Sequence, residues 1–388
     1  MKSRIAIAVI LALVVLAVVL KLRSPGTSIE PFVDFRGVNI SSREAAIETE
    51  VVVAELAQYG PELVPALRAE LHRGAWRQKP FVSWIANKLP GGLLTSIQQT
   101  YYEQDRRREL AAITLGRLGI VASNAVPDLK ALAATSSSSS GYAAAVALAM
   151  IQRNDVTAQS NAIAALSSPN QPCRVYFAKH ADEIWPDRPD VLSRSLTDPD
   201  ATVRAFTLYS LLSYGRTASN SVPVLMQMLS DRSATVRPRA ALALGLISPE
   251  HAEIAVAVML DQQRTNDSWA GDWAHRLYQT VGPAAQAAVP ALEAELADTG
   301  RAMFHGDAAG ALWRITGKAT PEIVAGLNTG IQIGVQRTQL RCLRIIQEIG
   351  PSAAATAPAL RSLTNHPRLL IRQLASEALE SVTRPPVK

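Results

Sequence analysis

The feature that most constrains this chain is a repeat with a period near 33 residues. A bulky residue followed by glycine or a small polar residue returns as Leu118-Gly119, Ile151-Gln152, Tyr214-Gly215, Ile247-Ser248, Val281-Gly282, Thr316-Gly317, Ile349-Gly350 and Val382-Thr383. From Gly215 onward the steps are 33, 34, 35, 33 and 33 residues. The 63-residue gap between Gln152 and Gly215 fits two units with a degenerate anchor near Ile184. Upstream, Tyr59-Gly60 and a weaker match near Leu89 bring the series to about ten units. A period of this length means stacked supersecondary units, each unable to bury its apolar faces alone.

Each anchor ends a helix-patterned segment. Eight residues before it stand Ala111, Ala144, Thr207, Ala240, Ala274, Ala309, Cys342 and Ala375, and four before it stand Leu115, Leu148, Leu211, Leu244, Tyr278, Trp313, Ile346 and Leu379. Together with the residue just before the anchor, these offsets form one stripe of an α-helix. Small residues at the first position let neighbouring helices approach, and larger ones at the second fill the core. The closing glycine suits a left-handed C-cap, which strains any other side chain. Downstream, Pro127, Pro223, Pro290 and Pro358 each lie eight residues after their glycine. There a second helix can begin, because a first-turn proline lacks only an N–H that has no intrahelical partner. Aromatic residues are just 5% of the chain, and Ala- and Leu-rich segments leave little room for strands. The spacing predicts an all-α chain of helical hairpins.

Two intra-unit turns carry a more specific pattern. In Asp198-Pro-Asp-Ala-Thr-Val203-Arg204 and Asp231-Arg-Ser-Ala-Thr-Val236-Arg237 an arginine follows an aspartate by six residues, and the copies are 33 residues apart. With the first-turn prolines, this resembles the HEAT repeat. The resemblance implies a right-handed α-α superhelix, a solenoid of about ten HEAT-type hairpins, whose Asp198, Arg204, Asp231 and Arg237 can ladder between units. Arg372 holds the arginine offset without the aspartate, whereas Gly271, Gly306 and Gln339 stand where the arginine belongs, which breaks any ladder there. The resemblance covers residues 42–383, followed by a short tail, 384–388. It specifies a scaffold and leaves the function open.

Residues 5–20 form an unbroken apolar run flanked by Lys2, Arg4, Lys21 and Arg23. Sixteen residues span roughly 24 Å at about 1.5 Å per residue, and snorkelling flanks make a transmembrane helix feasible. Residues 1–23 are therefore expected to be an uncleaved membrane anchor, and 24–41 a linker before a capping box at Ser41 and Glu44. A cleaved signal peptide is the alternative, but Ala17-Val18-Val19-Leu20-Lys21 offers no small-residue cleavage pattern. Two cationic residues on each side leave topology to habit, which places the solenoid on the exported side.

Charge argues against a nucleic-acid track. The net +6 falls to −3 over residues 27–336, which hold 27 basic and 30 acidic residues. The excess lies in the anchor flanks and the C-terminal end. There Arg337, Arg341 and Arg344 share one helix face, and with Arg361, Arg368 and Arg372 they offer a basic patch to an acidic partner or anionic headgroups. Two cysteines, Cys173 and Cys342, stand about five units apart, too far to bond in a stack.

Signs of catalysis are sparse. The six histidines make neither an HExxH motif nor a single His-Glu dipeptide, so the two-iron hydroxylases built on HEAT-like repeats find no counterpart. Asp272-x-x-His275 and His305-Gly-Asp307 are the nearest local His/carboxylate groupings. The segment Asp267-x-Trp269-x-x-Asp272-Trp273-x-x-Arg276 resembles the aromatic and acidic residues that HEAT-like DNA glycosylases set against a damaged base. Trp273, however, shares its offset with Phe206, which points it at least partly inward. No cofactor or metal is expected. The leading expectation is a membrane-tethered, non-enzymatic scaffold that binds a protein or peptide on its concave face. A nucleic-acid-binding or base-modifying enzyme and a spacer without a specific partner are the alternatives.

Overall fold

The structure, a computed structural model, describes residues 60–72, 91–135, 138–264, 270–333 and 335–384. The expected anchor, linker and capping box, the anchors at Tyr59 and Leu89, Asp267, Trp269 and tail residues 385–388 lie outside them, as does the side chain of Asp272. Every regular element among the described residues is helical, and none is a strand. The expected 42–383 stretch divides into two compact units between Ala165 and Leu166.

In the first unit, α1 (Val64–Leu71) follows a 3-10 turn and packs on α2 (Gly91–Leu118) and α3 (Val126–Thr135). Helix α4 (Ser139–Ile151) packs on both α2 and α3, and α5 (Val156–Ala165) follows it. Arg107 clamps the buried Glu70 of α1 through Nε and Nη2, each at 3.2 Å. Ser140 at the start of α4 donates to Asp105 Oδ1 at 2.6 Å. The stretch Gln104–Ala134 is long and apolar enough to cross a membrane by composition alone. Half of its most apolar 18-residue window is buried inside the protein, and the chain turns at Gly119, so core packing accounts for its apolar character.

The second unit opens with α6 (Gln171–Lys179) and the short α7 (Ala181–Ile184), then runs through α8 (Ala201–Tyr214), α9 (Val222–Met228), α10 (Arg237–Ile247) and α11 (Ala252–Arg264). It continues with α12 (Ala270–Val281), α13 (Val289–Ala297), α14 (Ala302–Thr316), α15 (Pro321–Gln332), α16 (Gln336–Ile349), α17 (Ala357–Leu363) and α18 (Leu369–Thr383). The helices that end at the repeat anchors pack on one another in sequence: α8 on α10, α10 on α12, and so on to α18. The intervening helices pack beside them as hairpin partners.

The stripe explains that stacking. All eight residues at the small offset, from Ala111 to Ala375, are fully buried, so the closest helix approaches fall where side chains are shortest. Most of the larger offset is buried as well, although Leu148, Trp313 and Leu379 remain half-exposed. The four partner helices with Pro127, Pro223, Pro290 and Pro358 in their first turn are each reached through a seven-residue 3-10 segment: Gly119–Ala125, Gly215–Ser221, Gly282–Ala288 and Gly350–Thr356. The fourth residue of each is a buried alanine that leaves helical geometry with ψ between 17° and 19°, so the four connections share one conformation.

The anchor glycines all have positive φ, but only part of the C-cap expectation holds. Gly317 is a true left-handed cap, at φ 68° and ψ 8°. Gly215 and Gly350 sit instead at ψ −136° and −138°, a region open essentially to glycine alone, because the chain must reverse into the 3-10 segment rather than simply stop. The degenerate unit near Ile184 is broken for a visible reason. The helix parts at His180, and two 3-10 turns, Pro189–Leu192 and Ser195–Thr197, replace the proline helix. Ser210 of α8 places its hydroxyl 2.7 Å from Ala178 O and 2.8 Å from Lys179 O, which serves carbonyls that the break leaves without helical partners.

Candidate functional site

The arginines of the turns form a ladder through the start of the second unit. Arg204 directs Nε to Asp231 Oδ2 at 2.9 Å and Nη2 to Oδ1 at 2.8 Å, while Nη1 turns back to its own turn's carbonyls, Asp198 O at 2.7 Å and Pro199 O at 3.1 Å. Asp231 also receives Ser233 N–H, so one carboxylate both shapes its turn and accepts the rung. Burial by itself would raise the Asp231 pKa. Hydrogen bonds from Arg204 and Ser233 N–H, with the charges of Arg204 and Arg232, outweigh it and hold the carboxyl below the ordinary range. Arg237 repeats the fold-back to Asp231 O at 2.9 Å, but its forward donor meets Gln262 Oε1, which ends the series.

One rung was not foreseen. Arg174 forks onto Asp198 with Nε at 2.8 Å and Nη2 at 3.1 Å and folds back onto Ser168 O at 2.9 Å. Its turn, Ser168-Pro169-Asn170-Gln171-Pro172-Cys173-Arg174, keeps the proline and arginine of the Asp198 turn at the same spacing, with serine in place of the leading aspartate. Arg372 follows the same rule in His366-Pro367, binding both turn carbonyls at 2.8 Å with no carboxylate partner among the described residues.

Where glycine or glutamine replaces the arginine, other contacts hold the stack. A Cβ on Gly306 would lie 2.7 Å from Gly330 Cα and 2.8 Å from Cys342 Sγ, so an arginine cannot fit between α14 and α15. Gln339 takes over the fold-back and donates to Ile331 O at 2.8 Å. Beside it, Arg341 Nη2 lies 2.9 Å from Oδ1 of the buried Asp307, and Thr338 donates to Oδ2 at 3.0 Å. Of the three arginines expected to share a face on α16, Arg341 is thus bound inward, Arg344 is exposed, and Arg337 is half-buried and engaged.

The remaining candidates separate. Trp273 is 7% exposed and lies under Arg239, whose guanidinium carbon is 4.6 Å from the ring centroid, so it packs internally as its offset suggested. His275 joins Glu295, 20 residues downstream, at 2.7 Å in a buried pair that no local spacing reveals. His305 meets Asp298 O at 2.9 Å, and Asp307 turns to α16, so the His305-Gly-Asp307 grouping does not converge. Among the described residues no group of three or more His, Cys, Asp or Glu is placed to hold a metal. Both cysteines are free, and burial pushes the Cys342 thiol well above its ordinary pKa.

On the anchor-ended helices of the second unit, Tyr209 of α8, Arg239 of α10, Arg276 of α12 and Arg344 of α16 are each at least partly accessible. No family model matches the sequence, nor does any curated protein, so this geometry alone carries the functional reading.

Proposed function

We propose that the chain is a membrane-tethered solenoid of HEAT-type hairpins that binds a protein or peptide along the concave face of its anchor-ended helices, without catalysing a reaction. The observation that carries this reading is the unbroken row from α8 to α18, each helix packed on the next. Such a row supplies an extended surface built by repetition. The Arg174, Arg204 and Arg237 contacts support it, because they tie successive turns to one another and so hold the repeat spacing. The apolar run at residues 5–20 is the proposed tether, with the solenoid on the exported side.

The test is crosslinking of the full chain in its native membranes, followed by purification and identification of attached proteins. Repeated recovery of one partner is the expected result. Background proteins alone, differing between repeats, would sink the reading and leave a spacer. Removal of residues 1–23 is expected to move the chain from the membrane fraction to the soluble one.

A further inference from the structure

The ladder arginines divide their donors in one way. In Arg174, Arg204 and Arg237, Nη1 folds back onto carbonyls of the arginine's own turn, while Nε reaches forward along the chain. In Arg174 and Arg204, Nη2 joins Nε to make a fork on one carboxylate. Arg372 keeps the backward half, with Nη1 2.8 Å from both His366 O and Pro367 O. Its Nε and Nη2, the forward pair, have no acceptor among the described residues. Two carbonyls thus hold the guanidinium in place beforehand, and the residue is only half-buried, so a carboxylate can reach it.

The turn before Arg372 has lost its acceptor and kept its donor. His366 stands where Asp198 and Asp231 stand in their turns, six residues before the arginine. Its Nδ1 accepts the Arg368 N–H at 3.2 Å, as Asp231 accepts Ser233 N–H, so the imidazole shapes the turn without bringing a negative charge. Residues 361–376 hold Arg361, Arg368 and Arg372 and no acidic residue. Burial, followed by the charges of Arg368 and Arg372, holds His366 below the ordinary histidine range, in keeping with cationic surroundings.

We propose that the forward fork of Arg372 docks an aspartate or glutamate carboxylate from an acidic segment of a partner protein, which adds one more rung from outside the chain. This rests on the reading of the chain as a protein-binding scaffold and names the chemistry of one contact. The bond is the one that Arg204 makes with Asp231, two N–H donors on two carboxylate oxygens. Charge favours an acidic segment, because residues 361–376 offer it three arginines and no like charge.

Fluorescence anisotropy of the full chain in nonionic detergent, with labelled octaglutamate and octaglutamine at low ionic strength, tests this. Octaglutamate is expected to bind and octaglutamine to stay free. Binding should weaken about tenfold in Arg372→Gln, which loses a bidentate charged pair. Glutamine can keep a fold-back, as Gln339 does with Ile331 O, so the substitution removes the fork and spares the turn. Arg361→Gln removes the same charge from an exposed residue of α17 and should change binding less than about twofold. Arg372→Lys keeps the charge without the fork and should bind nearly as weakly as Arg372→Gln. Thermal melts verify that each variant folds. Similar binding by Arg372→Gln and Arg361→Gln, full binding by Arg372→Lys, or none by the native chain overturns the proposal. So does sedimentation in which the native chain self-associates and Arg372→Gln does not, because the carboxylate then comes from a second copy. Recovery of the same crosslinked partner by native and Arg372→Gln chains alike would sink the fork and leave the scaffold standing. Peptide binding that depends on Arg372, with no partner recovered from membranes, would do the reverse.

Discussion

The Arg204 guanidinium grips Asp231, 27 residues downstream, through two nearly parallel hydrogen bonds of 2.8 and 2.9 Å. Both side chains are about nine-tenths buried, and the third guanidinium nitrogen closes onto the turn that precedes α8. One residue thereby ties its own turn to the next.

Arg204→Ala leaves Asp231 buried without its partner and frees two turn carbonyls. The expected loss is about 2–4 kcal/mol, read from urea unfolding followed by circular dichroism. Arg204→Lys should recover only part of it, since an ammonium cannot make the planar fork. A loss below about 0.5 kcal/mol for the alanine variant would place the rung with ordinary surface pairs.

The two kinds of anchor glycine should respond differently to alanine. Gly317 is left-handed, and Gly317→Ala is expected to cost about 1 kcal/mol. Gly215, at φ 53° and ψ −136°, lies where a Cβ is strained more severely, and Gly215→Ala should cost about 2–3 kcal/mol. Equal losses in parallel melts would contradict the distinction.

Gly306→Ala tests close approach rather than dihedral strain. The added methyl would meet the Gly330 backbone at 2.7 Å, and backbone cannot move aside as a side-chain tip can. A loss of about 1–3 kcal/mol is expected, with the Cys342 thiol reacting faster with a thiol reagent as α14 and α16 part.

Acid should release the rung. The Asp231 carboxyl is held below its unfolded pKa, so its contribution is complete above about pH 4, the unfolded range, and disappears as pH falls through the lower folded value. Asp231→Asn should reduce stability at neutral pH and flatten the acid limb of a stability-against-pH curve. A parallel limb in the variant would assign acid sensitivity to other carboxylates, of which Glu295, also lowered, is the next to replace.

The sequence alone determined the helices and their repetition. The small stripe from Ala111 to Ala375, the anchor glycines and the prolines eight residues beyond them act through local sterics, which neighbouring residues set among themselves. The Asp198/Arg204 and Asp231/Arg237 turns were legible for the same reason, and Arg174 could have been found from its Pro169 and six-residue spacing. Only the tertiary structure decided partners. The joining of Arg341 to Asp307 and of His275 to Glu295 depends on how far one helix slides along another, and no local spacing encodes that. The exclusion of arginine at Gly306 was equally invisible, because the obstacle is the backbone of Gly330 on the next helix. Local geometry is written in consecutive residues, whereas charge balance and steric limits arise where distant segments meet.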